Sequence, residues 1–294
     1  MGVLTLFPLL TPSGAVGLAE RALMMHVVLF MLIVTIPVYF LLFFFAWRYR
    51  DRKVGAIANT KGGRVAYFPN WESGKMEELV WWAIPFEIVL ILGALTWSST
   101  HALAPEKPLE GGTPLVIEVV ALEWKWLFIY PEENIATVNY LAVPVDRPVE
   151  FRVTADAPMN SFWIPQLGGQ IYAMTGMTTS LHLIANEEGV FAGGSANYSG
   201  DGFSKMKFMT HAISEEDFSA WVQEIRTSPI VLSFNAYKML AEPTVESEPT
   251  YYGRVENNLY NTIVMQFAHA MNGGFQEGKT GGRFPERALQ TFHE

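Results

Sequence analysis

From Val27 to Ala46 the chain carries no charged residue. At 1.5 Å per residue a helix over this run is about 30 Å long, the thickness of a hydrocarbon core. Pro37 interrupts the run, but membrane helices tolerate proline because neighbouring groups re-satisfy the freed backbone. A second run, Leu79 to Trp97, holds a single charge, Glu87, with Pro85 near its start. The spans are predicted over residues 24–47 and 79–98. A secretory signal does not fit the first run, which is too long and is followed, not preceded, by positive charge. Met1 to Leu10 is apolar but too short to span.

The segment between the runs is basic, with Arg48, Arg50, Arg52, Lys53, Lys61, Arg64 and Lys75. The flanks outside the pair, Gly14 to His26 and Ser98 to Gly112, carry only Arg21 and Lys107. Positive loops stay in the cytoplasm. A two-pass protein with both termini on the far side is therefore expected, which in a bacterial inner membrane is the periplasm. Trp47, Tyr49, Trp81, Trp82 and Trp97 suit the aromatic belts at the two interfaces.

Composition agrees with this. Half of the residues are hydrophobic and 17% are charged, below the usual share of about 25%. A net charge of −9 argues against nucleic acid, which selects a basic face. With no cysteine, the chain has no disulfide, thiolate metal site, cysteine nucleophile or cysteine-linked lipid.

Pro105 to Pro114 reads as a Pro/Gly linker. Beyond it, Leu115–Leu122, Trp124–Tyr130, Val149–Thr154, Leu181–Ala185 and Lys205–Ala212 read as strands, rich in β-branched and aromatic residues. Glu133–Asn134, Asp146–Pro148 and Gly193–Gly194 supply turn chemistry. Short strands at this spacing indicate a β-sandwich or barrel. Ser214 is an N-cap candidate, with Phe218, Trp221, Val222 and Ile225 at helical spacing behind it. Further helical stretches follow at Phe234–Leu240 and around Leu259–Met271. The predicted organisation is a transmembrane hairpin over residues 1–107, an all-β domain over 113–213 and a C-terminal helical extension over 214–294.

Catalytic motifs give nothing. The six histidines (His26, His101, His182, His211, His269 and His293) show no helical metal-ligand pair. There is no HExxH, GxSxG, Walker A or Rossmann fingerprint. Structural or solvated roles outweigh ligation for each histidine.

The stretch from Asn160 to Met206 is specific. Asn160-Ser161-Phe162-Trp163-Ile164-Pro165 resembles the His-Ser-Trp/Phe segment of subunit II of the haem-copper respiratory oxidases. Gly194 to Gly200 and Met206 fall where that family carries its copper loop. In the cytochrome c oxidases that loop reads Cys-x-Glu-x-Cys, then His, then Met, and holds two coppers in a cupredoxin-like barrel. Here Asn160 replaces the first His, Ser195 and Ser199 the two Cys, Asn197 the Glu and Phe203 the second His. Only Met206 remains. Bridging two coppers takes soft thiolates and imidazoles, so no metal site is expected and Met206 reads as a core residue.

With these losses the resemblance is closest to subunit II of the bo3-type ubiquinol oxidases, and it covers nearly the whole chain. It includes Thr96–Leu103, Glu118–Pro131, Gln170–Met177, Leu181–Glu187 and Tyr198–Phe208. It implies a cupredoxin-like domain and a role beside a catalytic subunit I. That subunit would carry two haems, one active-site copper and the ubiquinol site, and subunits III and IV would be further partners. This chain would carry no cofactor and would not meet cytochrome c. Trp124 and Trp126, two apart, are expected on one strand face, packing the domain rather than passing electrons. Glu78, in Glu78-x-x-x-Trp82-x-x-Pro85, resembles the glutamate that opens the K proton pathway, and Glu77 competes for that role. Glu87 has no family counterpart. An ionised carboxylate at that depth costs about 2.5–3.5 kcal/mol, so it should face a protein partner or be protonated, and it is expected to hydrogen-bond within the complex. Arg48 and Arg50 set topology and are candidates for anionic lipid headgroups. Two other readings compete: a membrane-tethered cupredoxin carrying electrons, and a tethered structural or assembly protein without a redox role.

Overall fold

The computed structural model describes residues 8–48, 50, 74–245 and 248–267. It comprises two units: Arg21–Leu103, and Met1–Glu20 together with Ala104–Glu294.

The first unit is helical. Helix α1 spans Ala15–Arg48 and α2 spans Lys75–Ala102, each running unbroken through its proline. Both are long and apolar enough to cross a membrane. Phe40, Phe43 and Trp82 are 65%, 68% and 73% exposed. Apolar cover this continuous is what a bilayer solvates and what a water-facing surface avoids. The chain is accordingly membrane-anchored. Tyr49 and the loop cations Arg52, Lys53, Lys61 and Arg64 lie outside the described residues.

The second unit is a two-sheet sandwich. Its strands are β1 (Leu115–Leu122), β2 (Lys125–Tyr130), β3 (Ile135–Val138), β4 (Tyr140–Pro144), β5 (Val149–Ala155), β6 (Asn160–Ile164), β7 (Gly168–Ala173), β8 (Thr179–Leu183), β9 (Gly189–Ser195) and β10 (Lys207–Ile213). After them come α3 (Glu215–Arg226), β11 (Val231–Leu232), α4 (Phe234–Leu240), β12 (Thr250–Tyr252) and β13 (Arg254–Val255). A last helical segment covers residues 259–267. One sheet runs β12-β3-β2-β1-β5-β8 and the other β4-β10-β9-β6-β7.

The near-continuous apolar run of β1 has a simple cause: both of its faces are covered. Ile117, Val119 and Ala121 point into the inter-sheet core with Phe128, Phe151, Phe162 and Phe208. Val120 and Leu122 point the other way, with Leu127 and Ile129, onto a second core closed by Leu232, Tyr237, Tyr252, Leu259, Tyr260 and Ile263. The C-terminal region is thus a cover layer that also adds β12 to the sheet edge, where sequence predicted helices alone. Ser214 caps α3 as expected, its side chain accepting the Asp217 N–H.

Other expectations need correction. Strands β3, β4, β6, β7 and β9 were not anticipated. Gly193–Gly194, read as a turn, lies inside β9. A Cβ on Gly193 would sit 2.2 Å from the Phe208 ring, so the glycine is there for close packing. The end of α1 also belongs to the β unit, not to the anchor alone. Ser13 N–H donates to Gln166 O (2.8 Å), Gly17 N–H to Leu167 O (3.0 Å) and Asn186 N–H to Ser13 O (2.8 Å). Gly169 N–H donates to Glu20 Oε1 (3.0 Å). A Cβ on Gly14 would approach Ile184 O to 2.6 Å, so this seam admits only glycine there.

Candidate functional site

Asn160 opens β6 and Ser195 closes β9, and the two strands pair through Phe162 and Ser195. The Ser195 hydroxyl donates to Asn160 Oδ1 at 2.9 Å, with the Asn197 carbonyl as the alternative acceptor at 3.1 Å. It accepts N–H groups from Ser161 and Asn197, both at 3.3 Å. A hydroxyl has one donor and two acceptor sites, so Ser195 is saturated. Asn160, fully buried, donates its amide N–H to Pro158 O at 2.7 Å. Three predicted positions therefore come together: Asn160, Ser195 and Asn197. The Phe162 ring, two residues along β6, stacks on Phe208 at 5.4 Å.

The other three positions serve the loop and the core. Ser199 gives its carbonyl to the Trp124 indole N–H at 3.0 Å, and its own hydroxyl is buried without a partner among the described residues. The Phe203 ring meets Tyr198 edge-on at 5.7 Å. Met206 is 1% exposed in the inter-sheet core. As a donor set these six offer two amides, two hydroxyls, a phenyl ring and one thioether. None is the thiolate or imidazole that a copper pair requires, and the Ser195 hydroxyl is fully engaged.

Trp124 corrects the sequence reading. Its φ is 64°, which puts it in the two-residue turn between β1 and β2 rather than on a strand face beside Trp126. Trp126 is fully buried. Trp124 lies over Gly202, where a Cβ would come within 2.3 Å of the ring, and so pins the 199–202 loop.

Next to this turn, Lys125 is 3% exposed and donates to Glu242 O at 2.8 Å. Burial pushes its pKa down, and the Glu242 charge offsets part of that. The Tyr237 hydroxyl donates to Asp156 Oδ2 at 2.5 Å. Burial first, then the carboxylate, raises the Tyr237 pKa far above the ordinary phenol range. These two bonds tie the cover layer to the sheet. Sequence reading missed them, although the aromatic density of Phe234, Tyr237, Tyr251, Tyr252 and Tyr260 was a usable signal.

At the start of α2, Glu77 and Glu78 occupy the first turn, where carboxylates favour the helix dipole. Glu77 folds its carboxylate back over Gly74. Glu78 is exposed, as is Glu87. Arg48 ends α1 and Arg50 follows it, both exposed.

Comparison with known proteins fits this architecture. Residues 131–213 match the family model described as cytochrome c oxidase subunit II, periplasmic domain. Residues 226–271, which include most of the cover layer, match the COX aromatic rich motif. The chain is 47% identical to cytochrome bo(3) ubiquinol oxidase subunit 2 of Pseudomonas aeruginosa, over 96% of this chain and 83% of that one. It is 47% identical to the Pseudomonas putida protein of the same name, over 90% and 82%. To ubiquinol oxidase subunit 2 of Acetobacter aceti it is 45% identical, over 89% and 83%. Identity at this level along both chains, together with the anchored β-sandwich and its aromatic cover, places this chain in the family of subunit II of the bo(3)-type ubiquinol oxidases.

Proposed function

We propose that this chain is the haem-free, copper-free subunit II of a proton-pumping ubiquinol oxidase. The complex oxidises ubiquinol and reduces oxygen to water in subunit I, which carries two haems, one active-site copper and the quinol site. This chain holds subunit I with its helix pair and caps it with its β domain, beside subunits III and IV. The observation that carries this reading is the saturated Ser195 hub, which joins Asn160 and Asn197 by hydrogen bonds where copper-bearing relatives place ligands. Trp124 and Trp126 then serve packing, and no electron passes from cytochrome c. The complex sits in a bacterial inner membrane with both termini periplasmic, and Arg48 and Arg50 meet anionic headgroups.

The test is purification in mild detergent, with a haem spectrum, metal analysis and a comparison of electron donors. Quinol-driven oxygen consumption with one copper per complex is expected. Oxidation of cytochrome c, or two further coppers, overturns the reading. A preparation without haem would leave a tethered assembly protein instead.

Within that role Glu78 is the proton intake of the K pathway. An exposed carboxylate at the interface exchanges protons with water. Glu77, turned back over Gly74, is the weaker candidate. Glu78→Ala is expected to slow turnover and haem reduction several-fold, and unchanged rates would remove the assignment.

A further inference from the structure

Glu118 is the only charge on β1. Ile117 and Val119 point into the inter-sheet core, so Glu118 leaves the strand on the other face, in line with Val120 and Leu122 of the second core. An apolar residue at 118 would extend that core by one step. A carboxylate breaks the local pattern, and functional sites are where such breaks concentrate.

The cover layer does not close over Glu118. A cavity of about 240 Å³ lies between it and the segment 255–261. The floor is apolar, with Ile129, Leu259 and Tyr260 each no more than 4% exposed. The mouth carries Asn134, Asn257, Asn258 and Asn261, all exposed. Asn134 Oδ1 accepts the Val255 N–H at 3.3 Å, and Asn261 Nδ2 donates to Asn258 Oδ1 at 2.6 Å, so the mouth is held in place.

Among the described residues Glu118 makes no hydrogen bond. Arg152 is its partner in the β1–β5 register, but the Arg152 Nε donates to Glu150 Oε1 at 2.8 Å and Arg152 does not line the cavity. One guanidinium thus serves two carboxylates. The Tyr260 hydroxyl donates to Thr178 Oγ1 at 3.3 Å instead. Burial outweighs Arg152 and raises the Glu118 pKa. A negative charge is left short of donors in the cavity wall.

Few ligands complement such a space. The carboxylate repels anions. Calcium takes about six to eight oxygens, and no group of three or more His, Cys, Asp or Glu among the described residues could hold a metal. The volume is several times the roughly 30 Å³ share of one water, yet it falls below the roughly 300 Å³ of drug-sized sites. A short alkyl chain with a cationic head fits. Its N–H groups would reach the carboxylate and the amide oxygens, and its methylenes would lie on Ile129 and Leu259. A mouth of asparagines faces water, whereas the buried centre of a protein interface is apolar, so the ligand comes from solution.

We propose that this cavity binds a small aliphatic amine cation, with its ammonium on Glu118. The inference rests on the β unit alone and is independent of the oxidase assignment.

The test uses the whole complex in an uncharged detergent, titrated calorimetrically with 1,4-diaminobutane. Saturable binding is expected, about tenfold weaker in Glu118→Gln, which removes the charge and keeps the shape. Asn257→Trp, which blocks the mouth and leaves Glu118 untouched, is expected to weaken binding as well. Unfolding midpoints without the amine check that both variants fold, and added amine should raise the midpoint more in the unsubstituted chain than in either variant. If Glu118→Gln does not fold, Asn257→Trp decides. No saturable binding, equal affinity in the variants, or equal binding of tetramethylammonium, which has the charge but no N–H, overturns the proposal. Quinol oxidase activity in the same samples reports on the oxidase assignment separately.

Discussion

The β unit and the helix pair treat their side chains in opposite ways. In the sandwich the large aromatics are inside. Trp126, Tyr130, Phe128, Phe151, Phe162 and Phe208 are all less than 2% exposed. In the helix pair they are outside, and Phe40, Phe43, Trp81 and Trp82 meet the surroundings. Polar groups divide the same way. Ser195, Asn160, Lys125 and Tyr237 find partners within the chain, whereas Glu78 and Glu87 are exposed. The β unit keeps its large side chains and most of these polar groups to itself, and the helix pair turns them outward. On the function proposed above, the β unit would use its family's metal position as structure, and the helix pair would be where this chain meets the rest of the complex.

The sharpest way to break that contrast is to delete the same ring in both units. Phe162→Ala should cost about 3–5 kcal/mol, read from denaturant unfolding of the detergent-solubilised chain by tryptophan fluorescence. Phe40→Ala should leave the same transition within about 0.5 kcal/mol. Equal losses would show that the units do not differ in self-sufficiency. Tyr237→Phe comes next, because it removes a hydrogen bond to the Asp156 carboxylate and loosens the cover layer. A loss of about 1.5–3 kcal/mol is expected, with earlier proteolysis of the segment after α3. Ser195→Ala should cost about 1–3 kcal/mol by orphaning the amide and N–H groups around it. Ser195→Cys should gain no copper by metal analysis, since the amides and Phe203 are still no ligands.

The smallest effect is on pH. Burial lowers the His211 pKa below its usual value, so the folded state prefers the neutral ring. The stability this gives is present above about 6.5, the unfolded value, and is lost as pH falls through it toward the folded value. Unfolding midpoints measured at decreasing pH should show a small decline that His211→Gln removes. A variant that declines equally would clear His211 of the effect.

Sequence patterns made some of this legible and hid the rest for physical reasons. The membrane helices announce themselves, because nothing else needs twenty apolar residues in a row. The turn at Asp146 and the cap at Ser214 were readable because their chemistry is local. Strand β9 was hidden because Gly193 yields its side-chain space to Phe208, which is remote in sequence. Strands β3 and β4 are short and separated only by Asn139 in a left-handed conformation. Trp124 belongs by type to strands but sits at positive φ, held by a bond to Ser199, seventy-five residues away. At the candidate site the residue types were visible, and the hub geometry was not. The resemblance puts Asn160 and Ser195 at one site, but nothing in either residue says that a hydrogen bond joins them there.

The pairing of β12 with β3 sets an order of events in the making of this protein. Val138 waits for Thr250, and Ala136 for Tyr252, more than a hundred residues further along the chain. At 5–20 residues per second that is roughly 6–22 s during which the edge of the larger sheet stays open. An open edge recruits other strands. A ribosome that stops short of Tyr252 would therefore release a chain with an adhesive rim, so truncation in the aromatic segment should produce aggregates instead of a smaller folded domain.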